Sequence, residues 1–193
     1  MTALAALVTE IRACARCADL PCGPRPVVQA GEGARLLIVG QAPGRKVHET
    51  GIPWNDPSGE RLRAWLGLTP EQFYDPVKVA IMPMGFCYPG KSASGDNPPR
   101  RECAPHWHGR LAAALPEIGL TLLIGSYAQA RYLGPLRKAT LGETVQAWRE
   151  YLPLGYLPLP HPSPRNQPWL ARNRWFEAEL LSGMREAIAA LAL

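Results

Sequence analysis

The sequence predicts an α/β protein, a three-layer sandwich in which helices flank a central four-stranded parallel sheet. Three observations lead there. Arg35–Val39 (RLLIV), Val77–Met82 (VKVAIM) and Leu120–Ile124 (LTLLI) carry unbroken apolar stretches, as strands do when helices cover both faces of a sheet. A fourth run, Tyr156–Leu159 (YLPL), has strand length and composition. Helical stretches lie between the runs and after them, over Gly59–Leu66, Arg101–Leu115, Ser126–Leu133, Leu141–Tyr151 and from about Trp169 to Leu191. Ser126, after Gly125, is positioned to cap its helix. Strand alternating with helix implies right-handed crossovers and a ligand site beyond the carboxyl ends of the strands. The segments after Val39, Met82, Ile124 and Leu159 are therefore expected to hold that site.

At 193 residues the chain is expected to form a single domain over residues 1–193. It is 47% hydrophobic and 19% charged, without an apolar run of about 18 residues that would span a bilayer, so no membrane partner is expected. Met1–Cys14 reads as a short amphipathic helix, because it lacks the basic start and small-residue cleavage site of an export signal. A cytoplasmic protein is the expectation, and a monomer. The 21 prolines and 18 glycines punctuate short elements and form no repeat. A net charge of +5 suits a polyanionic partner, since Lys and Arg gain by displacing counterions from phosphate.

The first strand runs into Gly40-Gln41-Ala42-Pro43-Gly44, followed by Gly51-Ile52-Pro53-Trp54-Asn55-Asp56-Pro57-Ser58-Gly59. Small residues directly after a strand let a ligand approach the backbone, and Pro43 stiffens the turn. A nucleotide cofactor would suit such a turn as well, but the segment has neither the Lys nor the spacing of a P-loop. By residue type alone Trp54 suits a core and Asp56 a helix cap. The fourth strand runs into His161-Pro162-Ser163-Pro164-Arg165-Asn166, a polar loop stiffened by two prolines.

Five cysteines without an export signal argue for metal ligation or inert burial rather than a disulfide framework. Cys14 and Cys17 form a C-x-x-C pair, and Cys87 and Cys103 enclose fifteen residues rich in Pro and Gly. Four soft thiolates bind an iron–sulfur cluster or zinc. Cys22 falls outside the pattern. His106 and His108 are an alternative zinc pair, weakened because i and i+2 do not share a helix face.

Together these segments resemble the uracil-DNA glycosylase superfamily, closest to its iron–sulfur class, often called family four. The resemblance rests on Gly40–Gly44, on Gly51-Ile52-Pro53-Trp54 with Gly59, on His161-Pro162-Ser163-Pro164 and on the cysteine spacing. It implies base-excision repair of DNA containing a damaged base, by hydrolysis of the N-glycosidic bond of a flipped nucleotide. In that reading Trp54 stacks on the base, with Gly40, Ala42 and Pro83 around it, and His161 stabilises the departing base anion. Ser58, Ser163, Arg165 and Asn166 meet the DNA, with Arg165 filling the gap left by the flipped nucleotide or contacting a phosphate. Cys14, Cys17, Cys87 and Cys103 hold a [4Fe–4S] cluster, with zinc as the alternative.

The chain departs from that class at two positions. Gln41 occupies the catalytic place of a Glu and cannot act as a base, while Asp56-Pro57-Ser58-Gly59 resembles the Asp-x-Ser-Gly of family five. Asp56 is therefore expected to stabilise the cationic sugar. Pro83 stands where an Asn would read uracil, which puts the choice of base in doubt. No lysine lies inside either motif and only Lys46 follows the first, so a monofunctional enzyme is expected. The missing Glu and Asn leave a non-catalytic damaged-DNA binding protein of the same fold as the alternative.

Overall fold

A computed structural model describes residues 2–93 and 95–193. In chain order the elements are α1 (Ala3–Arg12), β1 (Leu36–Val39), α2 (Arg45–Thr50), α3 (Pro57–Leu66), α4 (Pro70–Tyr74), β2 (Val79–Ile81) and the two-residue strands β3 (Lys91–Ser92) and β4 (Gly95–Asp96). They continue with α5 (Cys103–Ala113), β5 (Leu120–Ile124), α6 (Ser126–Leu133), α7 (Leu141–Gln146), α8 (Trp148–Tyr151), β6 (Tyr156–Leu159), α9 (Gln167–Arg172) and α10 (Leu181–Ala189).

Four strands form one sheet in the order β2-β1-β5-β6, all parallel, as the apolar runs imply. Alternation along each strand builds the layers. Leu36 and Ile38 face one way and pack with Leu62, Leu66, Leu181, Met184 and Ile188 of α3 and α10. Leu37 and Val39 face the other way, toward Leu4, Leu7 and Ile11 of α1 and Trp107 and Leu111 of α5. Pro158 is tolerated because β6 is an edge strand. The opposite edge is covered by Gln29, whose backbone pairs with Ile81 and whose side chain donates to the Phe73 and Val79 carbonyls at 2.9 and 2.8 Å. Among the described residues no helix is long and apolar enough to cross a membrane.

Several expected bounds change. β2 loses Val77 and Lys78 to a turn in which Asp75 accepts both their N–H groups. Gly125, not Ser126, occupies the cap of α6, at a positive φ of 85° that glycine adopts without strain. The single helix expected over Leu141–Tyr151 breaks at Ala147, so that Val145 and Trp148 pack on one side of the sheet and Tyr151 on the other. The last helix breaks at Asn173, whose side chain donates to the Trp169 carbonyl and accepts from Trp175 Nε1, competing with the backbone ladder. One π turn, Phe176–Leu180, then leads into α10. The helix expected over Met1–Cys14 covers Ala3–Arg12, with Thr2 as its cap; Met1 lies outside the described residues.

Candidate active site

Strand order reverses between β1 and β5, and the carboxyl ends of the strands open onto a cavity of about 300 Å³, within the range of ligand pockets. Gly40–Gly44 after β1, Pro83 after β2, and His161, Ser163 and Arg165 after β6 line it, together with Trp54, Asp56 and Ser58. The segment after β5 does not: Tyr127 faces a separate groove with Arg100, Arg101 and Arg131.

Trp54 has a φ of 54°, an uncommon value for a bulky residue and one held in place by its neighbours. Its indole lies over Gly40, where a Cβ would come within 2.8 Å of Cζ2. Its carbonyl accepts from Arg63 Nη1 at 3.2 Å and occupies the space a side chain at residue 59 would need. Gly40 and Gly59 are thus glycines because Trp54 leaves them no room. The indole and the His161 imidazole lie 5.6 Å apart between centroids, tilted by 35°. That separation is the one two rings adopt in direct contact, which leaves no room for a base between them. The two rings therefore form adjoining walls rather than the two sides of a slot.

Asp56 combines the two roles considered for it. Its Oδ1 accepts the Gly59 N–H at 2.8 Å and caps α3, while the residue still lines the cavity. The cap fixes the carboxylate, and a fixed charge needs little reorganisation when a cation forms beside it.

His161 Nδ1 accepts the Ser163 N–H at 3.2 Å, so that nitrogen carries no proton. Burial pulls the His161 pKa below the ordinary value, against the opposing pull of Asp56 and Asp96. The imidazole is then neutral with its hydrogen on Nε2, the tautomer that donates. Asn166 Nδ2 donates to the His161 carbonyl at 2.7 Å, and Arg61 Nη1 to the Ser163 carbonyl at 3.3 Å, which ties the loop to α3. Asn166 thus clamps the loop and does not line the cavity, whereas Ser58, Ser163 and Arg165 do.

The floor is rigid and offers few polar readers. The Met84 and Gly85 N–H groups donate to the Gly40 and Gln41 carbonyls at 2.8 and 3.0 Å. The Pro83 carbonyl pairs with Nε2 of buried His108 at 3.0 Å, and His108 Nδ1 meets the Tyr132 hydroxyl at 2.8 Å. Burial pushes the His108 pKa down to about 4, so it is neutral near pH 7. His106 is exposed and His108 is buried in this network, which removes the zinc-pair reading.

Two polar lining residues escaped the sequence reading. Lys91 and Asp96 face each other across the β3–β4 hairpin and both line the cavity. The run Lys91-Ser92-Ala93-Ser94-Gly95-Asp96, with small turn formers between polar ends, is the signal that could have found them.

Cys14, Cys17, Cys87 and Cys103 come from three places, after α1, after β2 and at the start of α5, and line one small cavity with Phe86 and Trp107. Cys22 is exposed and lies apart from it. The donor set is chemically suited to a soft metal, and the Phe86 N–H already donates to Cys103 Sγ at 3.4 Å. Burial pushes the Cys87 thiol up to about 11 and the Cys103 thiol up to about 12. Among the described residues no three His, Cys, Asp or Glu side chains stand at a geometry that holds a single metal ion. The enclosed space among these side chains is about 20 Å³.

A parallel sheet with a polar cavity at its carboxyl edge, walled by an indole, a capped carboxylate and a neutral imidazole, is the arrangement of an α/β protein with a ligand site at its switch point. The chain belongs to the uracil DNA glycosylase superfamily, whose family model matches residues 28–185. Members of that superfamily are generally DNA glycosylases, hydrolases that act on DNA. The match includes the residues of both loops and Cys87 and Cys103, but begins after Cys14 and Cys17.

Proposed function

We propose that this protein is a monofunctional DNA glycosylase of base-excision repair, acting as a cytoplasmic monomer on DNA that carries uracil or another damaged base. The observation that carries the reading is the convergence of Gly40–Gly44, Trp54, Asp56 and His161 on one cavity. The flipped base stacks on Trp54, with Gly40, Ala42 and Pro83 around it, and its oxygen takes a hydrogen bond from His161 Nε2. The bond between C1′ and the base nitrogen breaks with its electron pair going to the base. Asp56 stabilises the cationic sugar, a water oxygen adds to C1′, and the two water protons end on the new hydroxyl and the released base. Ser58, Ser163 and Arg165 hold the flanking backbone, and Asn166 keeps their loop in shape.

A broad or altered choice of base follows from the floor. Pro83 has no side-chain donor, its carbonyl is taken by His108, and the neighbouring N–H groups serve Gly40 and Gln41. Reading falls to the Gln41 amide and His161, which is compatible with uracil, hypoxanthine or xanthine.

Cys14, Cys17, Cys87 and Cys103 would hold a [4Fe–4S] cluster, with zinc as the alternative, since four thiolates lining one cavity suit either. When bound, the group would supply a cross-link between the N-terminal segment and α5, and the hydrolysis would proceed without it.

Incubation with duplex and single-stranded oligonucleotides bearing uracil, hypoxanthine, xanthine or alkylated cytosine tests the reading. Release of at least one free base is the expected result. Tight binding without release from any substrate would identify a damaged-DNA binding protein instead. Borohydride trapping tests the monofunctional part, because Lys91 lines the cavity; a trapped protein–DNA adduct would overturn it.

A further inference from the structure

We propose that Asp96 is a second catalytic carboxylate, which holds and deprotonates the attacking water while Asp56 faces the sugar. The inference rests on the glycosylase reading above and starts from three observations of the β3–β4 hairpin.

First, the hairpin reaches over the carboxyl edge of the sheet, and Asp96 lines both the main cavity and an adjoining hollow of about 220 Å³ shared with Gln41, His161 and Arg165. Second, the two carboxylates approach a common point. A Cβ on Gly44 would lie 3.7 Å from Asp96 Oδ2 and 3.9 Å from Asp56 Oδ2, and the absence of one leaves that space open. Third, the two groups are differently engaged. Asp56 spends Oδ1 on the Gly59 N–H, whereas no described residue donates a hydrogen bond to the Asp96 carboxylate. Both anions also act on His161, drawing its pKa upward against burial.

The chemistry assigns the division of labour. A water that attacks C1′ must lose a proton as its oxygen bonds to carbon, and the group that takes it must have a lone pair to spare. Asp56 is positioned by its cap and serves best as a fixed charge. Asp96 is exposed to solvent, and so can collect a water and pass the proton back to bulk. In the completed step the C1′–N bond breaks toward the base, the water oxygen joins C1′, Asp96 takes the water proton, and that proton reaches the base anion through solvent. Gln41, on the same wall, is neutral and cannot take this part.

The test compares Asp96→Asn, Asp96→Glu, Asp56→Asn and wild type on the lesion that wild type excises best. Single-turnover base release, affinity for a duplex with a tetrahydrofuran abasic analogue, and Tm are measured for each. Expected is a loss of about 100-fold in the rate for Asp96→Asn, with affinity and Tm near wild type and part of the rate restored in Asp96→Glu. A wild-type rate in Asp96→Asn overturns the proposal, as does a loss of affinity large enough to account for the slower release. Absence of release by wild type from every lesion overturns the glycosylase reading itself, and this proposal with it.

Discussion

The Trp54 indole lies directly over the α-carbon of Gly40, with room for a hydrogen and no more. A Cβ there would stand 2.8 Å from Trp54 Cζ2, inside van der Waals contact. Because Trp54 is already held at a φ of 54°, it has little freedom to yield. Gly40→Ala should therefore shift the indole off the cavity wall, at a cost of about 1–3 kcal/mol in stability. Chemical denaturation followed by tryptophan fluorescence, with base release measured on the same sample, checks both effects. A variant with wild-type stability and rate would show that the indole need not sit there.

Removal of the His161 imidazole should slow base release by about 100- to 1000-fold, the scale of losing one preorganised donor. His161→Ala also strands the Ser163 N–H, which now donates to Nδ1 at 3.2 Å, so the loop should loosen as well. His161→Gln provides a donor of another shape and separates the two effects. The acid limb of the rate follows from the sign of the shift. Burial lowers the His161 pKa, and the Asp56 and Asp96 charges oppose it only in part. The neutral, donating form thus persists below the ordinary histidine range, and the rate should fall only at pH values under about 6.5. A single-turnover pH profile that already declines above pH 7 on its acid side would contradict this.

Sheet and cavity differ in how openly the sequence announces them. Leu36–Val39 and Leu120–Ile124 are read directly because both faces of a parallel sheet are covered, so the apolar pattern has no gaps. Gly40 and His161 are legible because small residues, prolines and lone polar groups stand at strand ends, whereas Trp54 and Asp56, between α2 and α3, are picked out only by the resemblance of their motif. Asp96 and Lys91 are not, because a two-residue hairpin has no periodicity and its place over the sheet depends on the chain between Cys87 and Cys103. The breaks at Ala147 and Asn173 are equally hidden. In both, helical propensity continues through the break while packing, or the Asn173 side chain, redirects the backbone.

Buried His108 makes acid stability a test of the floor. Its pKa of about 4 lies below the ordinary value of 6.5, so between those limits the unfolded chain binds a proton that the folded one refuses. Stability contributed this way is fully present above pH 6.5 and is lost as pH falls toward 4, by on the order of 3 kcal/mol. Urea midpoints measured across that range should fall toward acid. His108→Gln, which retains a donor for the Pro83 carbonyl, should flatten the fall; an equal slope in the variant would place the titrating group elsewhere.

Substitution of the cysteines separates ligands from bystanders. Cys14, Cys17, Cys87 and Cys103 line one cavity, and Cys22 is exposed outside it. Protein purified without oxygen should carry about four irons and absorb near 400 nm, as thiolate-bound clusters do. Serine at any of the four lining positions should bleach that band and lower Tm, because the link between the N-terminal segment and α5 is lost. Cys22→Ser should leave both unchanged. The raised thiols of Cys87 and Cys103 set the direction of the pH effect: a metal must displace protons from buried sulfur, so uptake of iron by the stripped protein should strengthen as pH rises. One zinc per chain and no visible band would assign the site to that ion. A Cys22→Ser variant that lost its metal would mean that the loop after α1 folds around a different set of sulfurs.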